Sequence, residues 1–379
     1  MTEEEVAELA KKVKPPYSEA RAWLDERIEQ GDVENLVQVV ELLDQHPEKY
    51  GMTTWLARRV CDSILYSLSM YKQEGFADAA LRLACSVRPP RRVSSWLAYW
   101  QPVETLEALF VNYGEAPVYQ EELACVLQTM VLLGRLPEPL SSAIASFHQR
   151  LVEQKHPLSW LPLYLPYEEP LETGEVRYDR NNFRKEEVVT KVEVTEASQL
   201  GPVLRFSEKT TPEEARAVGG VVCDWGATKA KVEARVFETT RFLQTHEMTV
   251  ETLLALELDC LEGRTAEEVI FWLCPSTVAM IKLRDAAETQ NSEYNPYGFR
   301  WCAAYSRLER WKTIAALVGC APEASFPEVL EQMRSCRGWW WIDTIKHDWF
   351  MHIGWDFGLM VLRPSGDTLA ILAATGDEG

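Results

Sequence analysis

Gly338-Trp339-Trp340-Trp341-Ile342-Asp343, followed by the apolar runs 357–362 and 368–373 on either side of Pro364-Ser365-Gly366-Asp367, decides the fold class of this chain. Along a strand successive side chains alternate, so Trp339 and Trp341 take one face and Trp340 the other. Pro364 and Gly366 supply the backbone angles of a turn, so the two runs beside it read as a β-hairpin. Between strand and hairpin lies His347-Asp348-Trp349-Phe350-Met351-His352-Ile353-Gly354-Trp355-Asp356, where aromatic and ionisable residues concentrate.

Upstream the texture is helical. Ala20, Trp23, Leu24 and Ile28 form one apolar stripe, Leu36, Val40 and Leu43 the next, and Leu56, Val60, Ile64 and Leu68 an i+4 row. Gly31, Gly51, Gly75, Gly114 and Gly134 punctuate the segment, most of them where a helix ends. Residues 1–155 therefore read as an antiparallel, repeat-like helical domain. From 156 to 205 the prolines at 157, 162, 166 and 170 and a polar stretch interrupt any helix, and Val188, Thr190, Val192 and Val194 alternate as one strand. Residues 206–379 read as an α+β domain. Thr211 with Glu214 opens a helix carrying Ala215, Val218, Val222 and Trp225, and 231–237 alternates as a strand. Three more helices are predicted: one after Thr265 and Glu268, one from Asn295-Pro296 carrying Trp301, Ala304, Leu308, Trp311 and Val318, and one after Ser325 and Glu328. The fold class expected is α+β and mostly helical, ending in a β-hairpin.

The 379 residues carry a formal net charge of -19, and 46% are hydrophobic, a composition of folded, core-bearing protein. Acidic residues outnumber basic ones 32 to 21 before position 201 and 26 to 18 after it, so no basic half exists to track a phosphate backbone. Nucleic acid is disfavoured as a partner. Nine cysteines, an odd number never spaced two to four apart, fit neither a disulfide framework nor a zinc ribbon. They read as buried thiols of a reducing compartment. The N-terminus is acidic where a signal peptide is basic, and no run approaches the roughly 18 apolar residues of a membrane span. These features predict a cytoplasmic protein with no membrane partner.

The stretches 231–237, 303–311, Trp355-Asp356-Phe357-Gly358-Leu359, Leu362-Arg363-Pro364-Ser365-Gly366 and 369–375 resemble an uncharacterised family of large actinobacterial-type proteins, with the resemblance confined to the C-terminal domain. It implies a shared fold and supplies no catalytic residue.

Two candidate sites stand out. Aromatic faces stack ligands and anchor protein interfaces, so Trp339, Trp340, Trp341 and Trp355 are the candidate binding residues. The alternative is a divalent metal on His347, Asp348, His352 and Asp356. On a helix Asp348 and His352 share a face and Asp356 lies a turn further, and a bound metal would activate water for hydrolysis. Glu233 and Arg235 share a strand face and read as a surface ion pair. The sequence holds no Gly-x-Ser-x-Gly, P-loop, Gly-x-Gly-x-x-Gly or His-Glu-x-x-His signature. The favoured reading is a non-enzymatic module that binds another protein without a cofactor, with a metal-dependent hydrolase as the alternative.

Overall fold

The computed structural model describes residues 6–7, 18–86, 91–166, 204–222, 231–274, 302–344, 349–350 and 355–376, with 279, 283 and 286. The chain is α+β and mostly helical. It divides into two compact units, Met1–Tyr164 with Pro170–Thr173 and Trp301–Ala304, and the remainder.

The first unit is built from α1 (Ser18–Glu29), α2 (Val33–Gln45), α3 (Thr54–Met70), α4 (Phe76–Ser86), α5 (Arg91–Trp100), α6 (Val103–Tyr113), α7 (Gln120–Leu132) and α8 (Ser142–Glu153). The stripe of α2 is buried as expected through Leu36, Val40 and Leu43. In α3 the Thr53 side chain accepts from the Leu56 amide at 3.3 Å. Its core face is Ala57, Cys61, Ile64, Leu65 and Leu68, while Leu56 and Val60 are half-buried. The helix is thus turned slightly from the expected row, with Ala57 and Cys61 facing the core in place of Leu56 and Val60. Every residue of α7 from Glu122 to Leu132 is buried, which makes it the central helix of this unit.

Helix C-termini carry carbonyls without intrahelical partners. Side chains from elsewhere in the unit close several of them. Gln101 Nε2 donates to Ser69 O at 2.6 Å and Tyr71 O at 2.9 Å, at the end of α3. The Arg135 guanidinium donates to the carbonyls of Ala98, Tyr99 and Gln101, at the end of α5. Arg150 Nη2 donates to Gly114 O at 2.9 Å, just past α6.

In the second unit β1 (Phe206–Glu208), α9 (Pro212–Val218), β2 (Lys231–Thr239), α10 (Val250–Leu254), β3 (Val269–Cys274), α11 (Ala303–Leu317), α12 (Phe326–Ser335), β4 (Arg337–Asp343), β5 (Trp355–Leu362) and β6 (Thr368–Gly376) follow in order. The strands form one antiparallel sheet in the order β1-β2-β6-β5-β4-β3, so the predicted hairpin lies inside it. Its turn closes with Gly366 N donating to Arg363 O at 2.9 Å, and Gly366 has φ +72, a conformation side chains resist. One sheet face presents Phe237, Phe271, Trp339, Trp341, Met360, Leu369 and Ile371 to Leu243, Met248, Leu253 and Leu258. On the other, Leu359 and Val361 meet Ile314, Leu317 and Val318 of the α11 end and Met333 of α12, around a small apolar recess.

The capping boxes at Thr211/Glu214 and Ser325/Glu328 are both formed. The first helix stops at Val218, however, and Val222 lies in the 3₁₀ turn that follows. The helix start predicted at Thr265 and Glu268 is overturned. Thr265 N donates to Glu268 Oε2 at 2.9 Å, but the chain runs into β3. Val-Ile-Phe-Trp-Leu-Cys is branched and aromatic without a helical stripe, and it pairs residue for residue with β4. The strand expected at 188–194, the helix opening at Asn295, and Trp225 and Trp301 lie outside the described residues.

Candidate functional site

The tryptophans of β4 obey the predicted alternation. Trp339 and Trp341 are 1% and 0% exposed. Trp339 lies parallel to Phe271 of β3, with ring centroids 6.4 Å apart. Trp341 spreads over Gly358 of β5, where a Cβ would lie 2.0 Å from its ring. Trp340 faces the opposite way, half-buried, and stacks on Trp272 at 4.4 Å and 12°. Trp355 opens β5, and its side chain lies outside the described residues.

Of the metal candidates, His347, Asp348 and His352 lie outside the described residues. Asp356 is a strand residue of β5, not one turn along a helix, and its Oδ1 accepts from Thr375 Oγ1 of β6 at 2.6 Å. Its neighbours in sequence, apolar and hairpin-paired, hold it extended. Among the described residues no three His, Cys, Asp or Glu side chains are grouped to hold a metal ion.

The Glu233 and Arg235 pair is not a surface feature. Glu233 is 6% exposed. Its Oε1 and Oε2 accept from the amides of Asp259 and Cys260, each at 2.9 Å. Arg235 Nη1 donates to Glu233 Oε1 at 3.1 Å and Nη2 to Glu208 Oε2 at 2.6 Å, with its guanidinium over the Phe237 ring at 4.9 Å. The hydrogen bond from Arg235 holds the Glu208 carboxyl below its ordinary range. This is a clamp that fastens the 257–261 segment to β2. Its signal in sequence, two charges at i and i+2, does not say which face of the strand is covered.

A site that sequence patterning missed lies on the first unit. On α3, Trp55, Arg59 and Tyr66 follow at i, i+4 and i+11 and share one side of the helix. On α5, Trp96, Tyr99 and Trp100 cluster likewise. Arg59 sits over the Trp55 ring at 5.0 Å, in the range of a cation–π contact. Tyr66 meets Trp96 edge to face at 5.1 Å and 82°, and Tyr99 meets Trp100 at 5.3 Å and 63°. The row of aromatics thus crosses from one helix to the next. Trp55 is 53% exposed and Trp100 36%. The buried Gln101 and the half-buried Arg135 fix the backbone at its α5 end, as described above, and partial burial lowers the Arg135 pKa. The signal was present in the sequence as an aromatic stripe, but it lies opposite the apolar face that patterning seeks.

A model of the family of unknown function DUF6183 matches residues 18–378. The chain belongs to that family. The match takes in the helical half as well, so the expected confinement of the resemblance to the C-terminal domain is corrected, and it supports no actinobacterial origin. Neither a curated protein nor a solved structure matches the chain.

The thiols have the chemistry of core residues. Cys61 is buried and its pKa is pushed up to about 12, mainly by that burial. Burial likewise pushes Cys85 and Cys336 up to about 12. Neutral thiols of this kind are poor nucleophiles and poor metal ligands.

Proposed function

We propose that this member of the DUF6183 family is a cytoplasmic, non-enzymatic binding module that docks another protein on the α3/α5 aromatic row. The observation that carries the reading is Trp55, half-exposed under Arg59 on the same row as Trp100. Trp, Tyr and Arg are the residue types that dominate binding energy at protein interfaces. Anchors bind more tightly when their scaffold is already ordered, and Gln101 and Arg135 supply that order at the Trp100 end. The exposed Arg58 and Arg59 stand out in a chain of net charge -19 and suit a partner surface bearing carboxylates. Free thiols such as Cys61, Cys125 and Cys260 support a reducing compartment. Among the described residues no helix is long and apolar enough to cross a membrane.

The test is quantitative affinity capture with the unmodified chain and the Trp55→Ala/Trp100→Ala variant. The reading predicts a discrete protein partner whose recovery falls by about tenfold or more in the variant, since interface anchors typically exceed ~1.4 kcal/mol each. Equal recovery by both proteins would overturn it.

A further inference from the structure

Beyond α8 the chain reverses through Lys155, at φ 54, and His156 caps the short 3₁₀ turn Pro157–Trp160. The imidazole is 10% exposed, and both of its nitrogens are engaged. Nδ1 accepts from the Leu158 amide at 3.2 Å, and Nε2 lies 3.0 Å from Glu121 Oε2 of α7. A backbone N–H can only donate, so Nδ1 carries a lone pair and the ring proton sits on Nε2, where it donates to the carboxylate.

The turn is fastened around that ring. Ser159 Oγ donates to His156 O at 2.7 Å, and the buried Gln128 of α7 donates through Nε2 to Leu158 O at 3.2 Å and Leu161 O at 3.4 Å. Leu158 and Leu161 are 0% and 1% exposed. The helices packed against the turn are α7 and α8. Of their titratable groups, Glu121 meets the ring, while Glu122 is bonded to Ser94, Arg150 to the Gly114 carbonyl and Glu153 to Gln149. His148 of α8 is half-buried, and among the described residues its Nε2 makes no bond to the turn. Lys155 flanks His156 in sequence and is exposed.

We propose that His156 is a proton-operated latch on the 157–161 turn. Imidazole is the side chain that changes charge between about pH 5 and 8. The added proton can go only to Nδ1, which then faces the Leu158 amide donor to donor, and the cap bond is lost. The bond from Nε2 to Glu121 is available in both states, so the change is confined to the side of the ring that holds the turn. Without the cap, the turn loosens its hold on Leu158 and Leu161 and on their carbonyl bonds to Gln128. Among the described residues this is the last helical turn before the main segment of the first unit ends at Tyr164, so the latch governs how firmly that end is fixed. With one nitrogen capping and the other on a carboxylate, neither is left to act as a general base, and the pair is regulatory, not catalytic.

Nuclear magnetic resonance on the full chain, labelled with nitrogen-15 in histidine and leucine and titrated from about pH 8 to about pH 5, tests the proposal. At the alkaline end His156 is expected as the Nε2–H tautomer. As its ring charges, the Leu158 amide signal is expected to move with the same midpoint, and its protection from exchange to fall about fivefold, the size of a lost cap. His156→Asn keeps an acceptor at the cap without a titratable group, and it is expected to hold Leu158 protection constant over the same range. An Nδ1–H tautomer at the alkaline end, a ring that stays neutral throughout, or a Leu158 amide indifferent to the ring's titration would each overturn the proposal. Should His156→Asn fail to fold, the titration of the unmodified protein decides.

Discussion

Trp341 and Gly358 occupy one space between β4 and β5, because the indole fills the volume a side chain at 358 would need. Gly358→Ala must displace a fully buried ring. Overpacking of this kind typically costs about 1–3 kcal/mol, so the thermal midpoint is expected to fall by several degrees, read by circular dichroism or calorimetry. A midpoint unchanged from that of the parent would show that the ring does not rest on the glycine. The alternation of Trp339, Trp340 and Trp341 was legible in the sequence, since it follows from the strand period alone. The role of Gly358 was not, because its partner is fixed only by the register of strands distant in sequence. Glu233 gives the same lesson in electrostatic terms. A carboxylate two residues from an arginine reads as a surface pair until the 257–261 segment is seen to cover it with two amides.

Among elements, what was legible was local. The capping boxes of α9 and α12 and the turn between β5 and β6 are decided by residues three or four apart. Thr265 and Glu268 carry the same local signal and still lead into β3, because pairing with β4 outweighs a cap worth about 1 kcal/mol. Several carboxylates at element ends have depressed pKa values. Glu247 is held low first by its hydrogen bond from Arg241, Glu208 by that from Arg235, and Asp367 by that from Ser365. A group whose folded pKa is depressed contributes stability above its unfolded value and loses it as pH falls through the folded one. The second unit is therefore expected to keep its stability from neutral pH down to the ordinary carboxylate range near 4 and lose it progressively below. Thermal midpoints measured against pH check this, and Glu247→Gln should flatten the acid limb. A variant with the parent's full acid slope would assign the loss to other groups.

At the scale of the whole molecule, composition and periodicity made the α+β class and the helical first half readable. They did not reveal the surface proposed to matter most. Trp55, Arg59, Tyr66, Trp96 and Trp100 are spread over two helices on the side turned from the core, and only the packing of α3 beside α5 brings them into one row. The sequence drew attention instead to the β4 tryptophans, two of which are fully committed to the core. The family match over 18–378 takes in both units. The proposed binding role is tested most directly by a photo-crosslinking amino acid placed in turn at Trp55, at Trp100 and at Phe242, an exposed aromatic of the second unit. The account predicts one discrete adduct, the same from positions 55 and 100 and missing from 242. Adducts absent at 55 and 100, or equally abundant at 242, would contradict it.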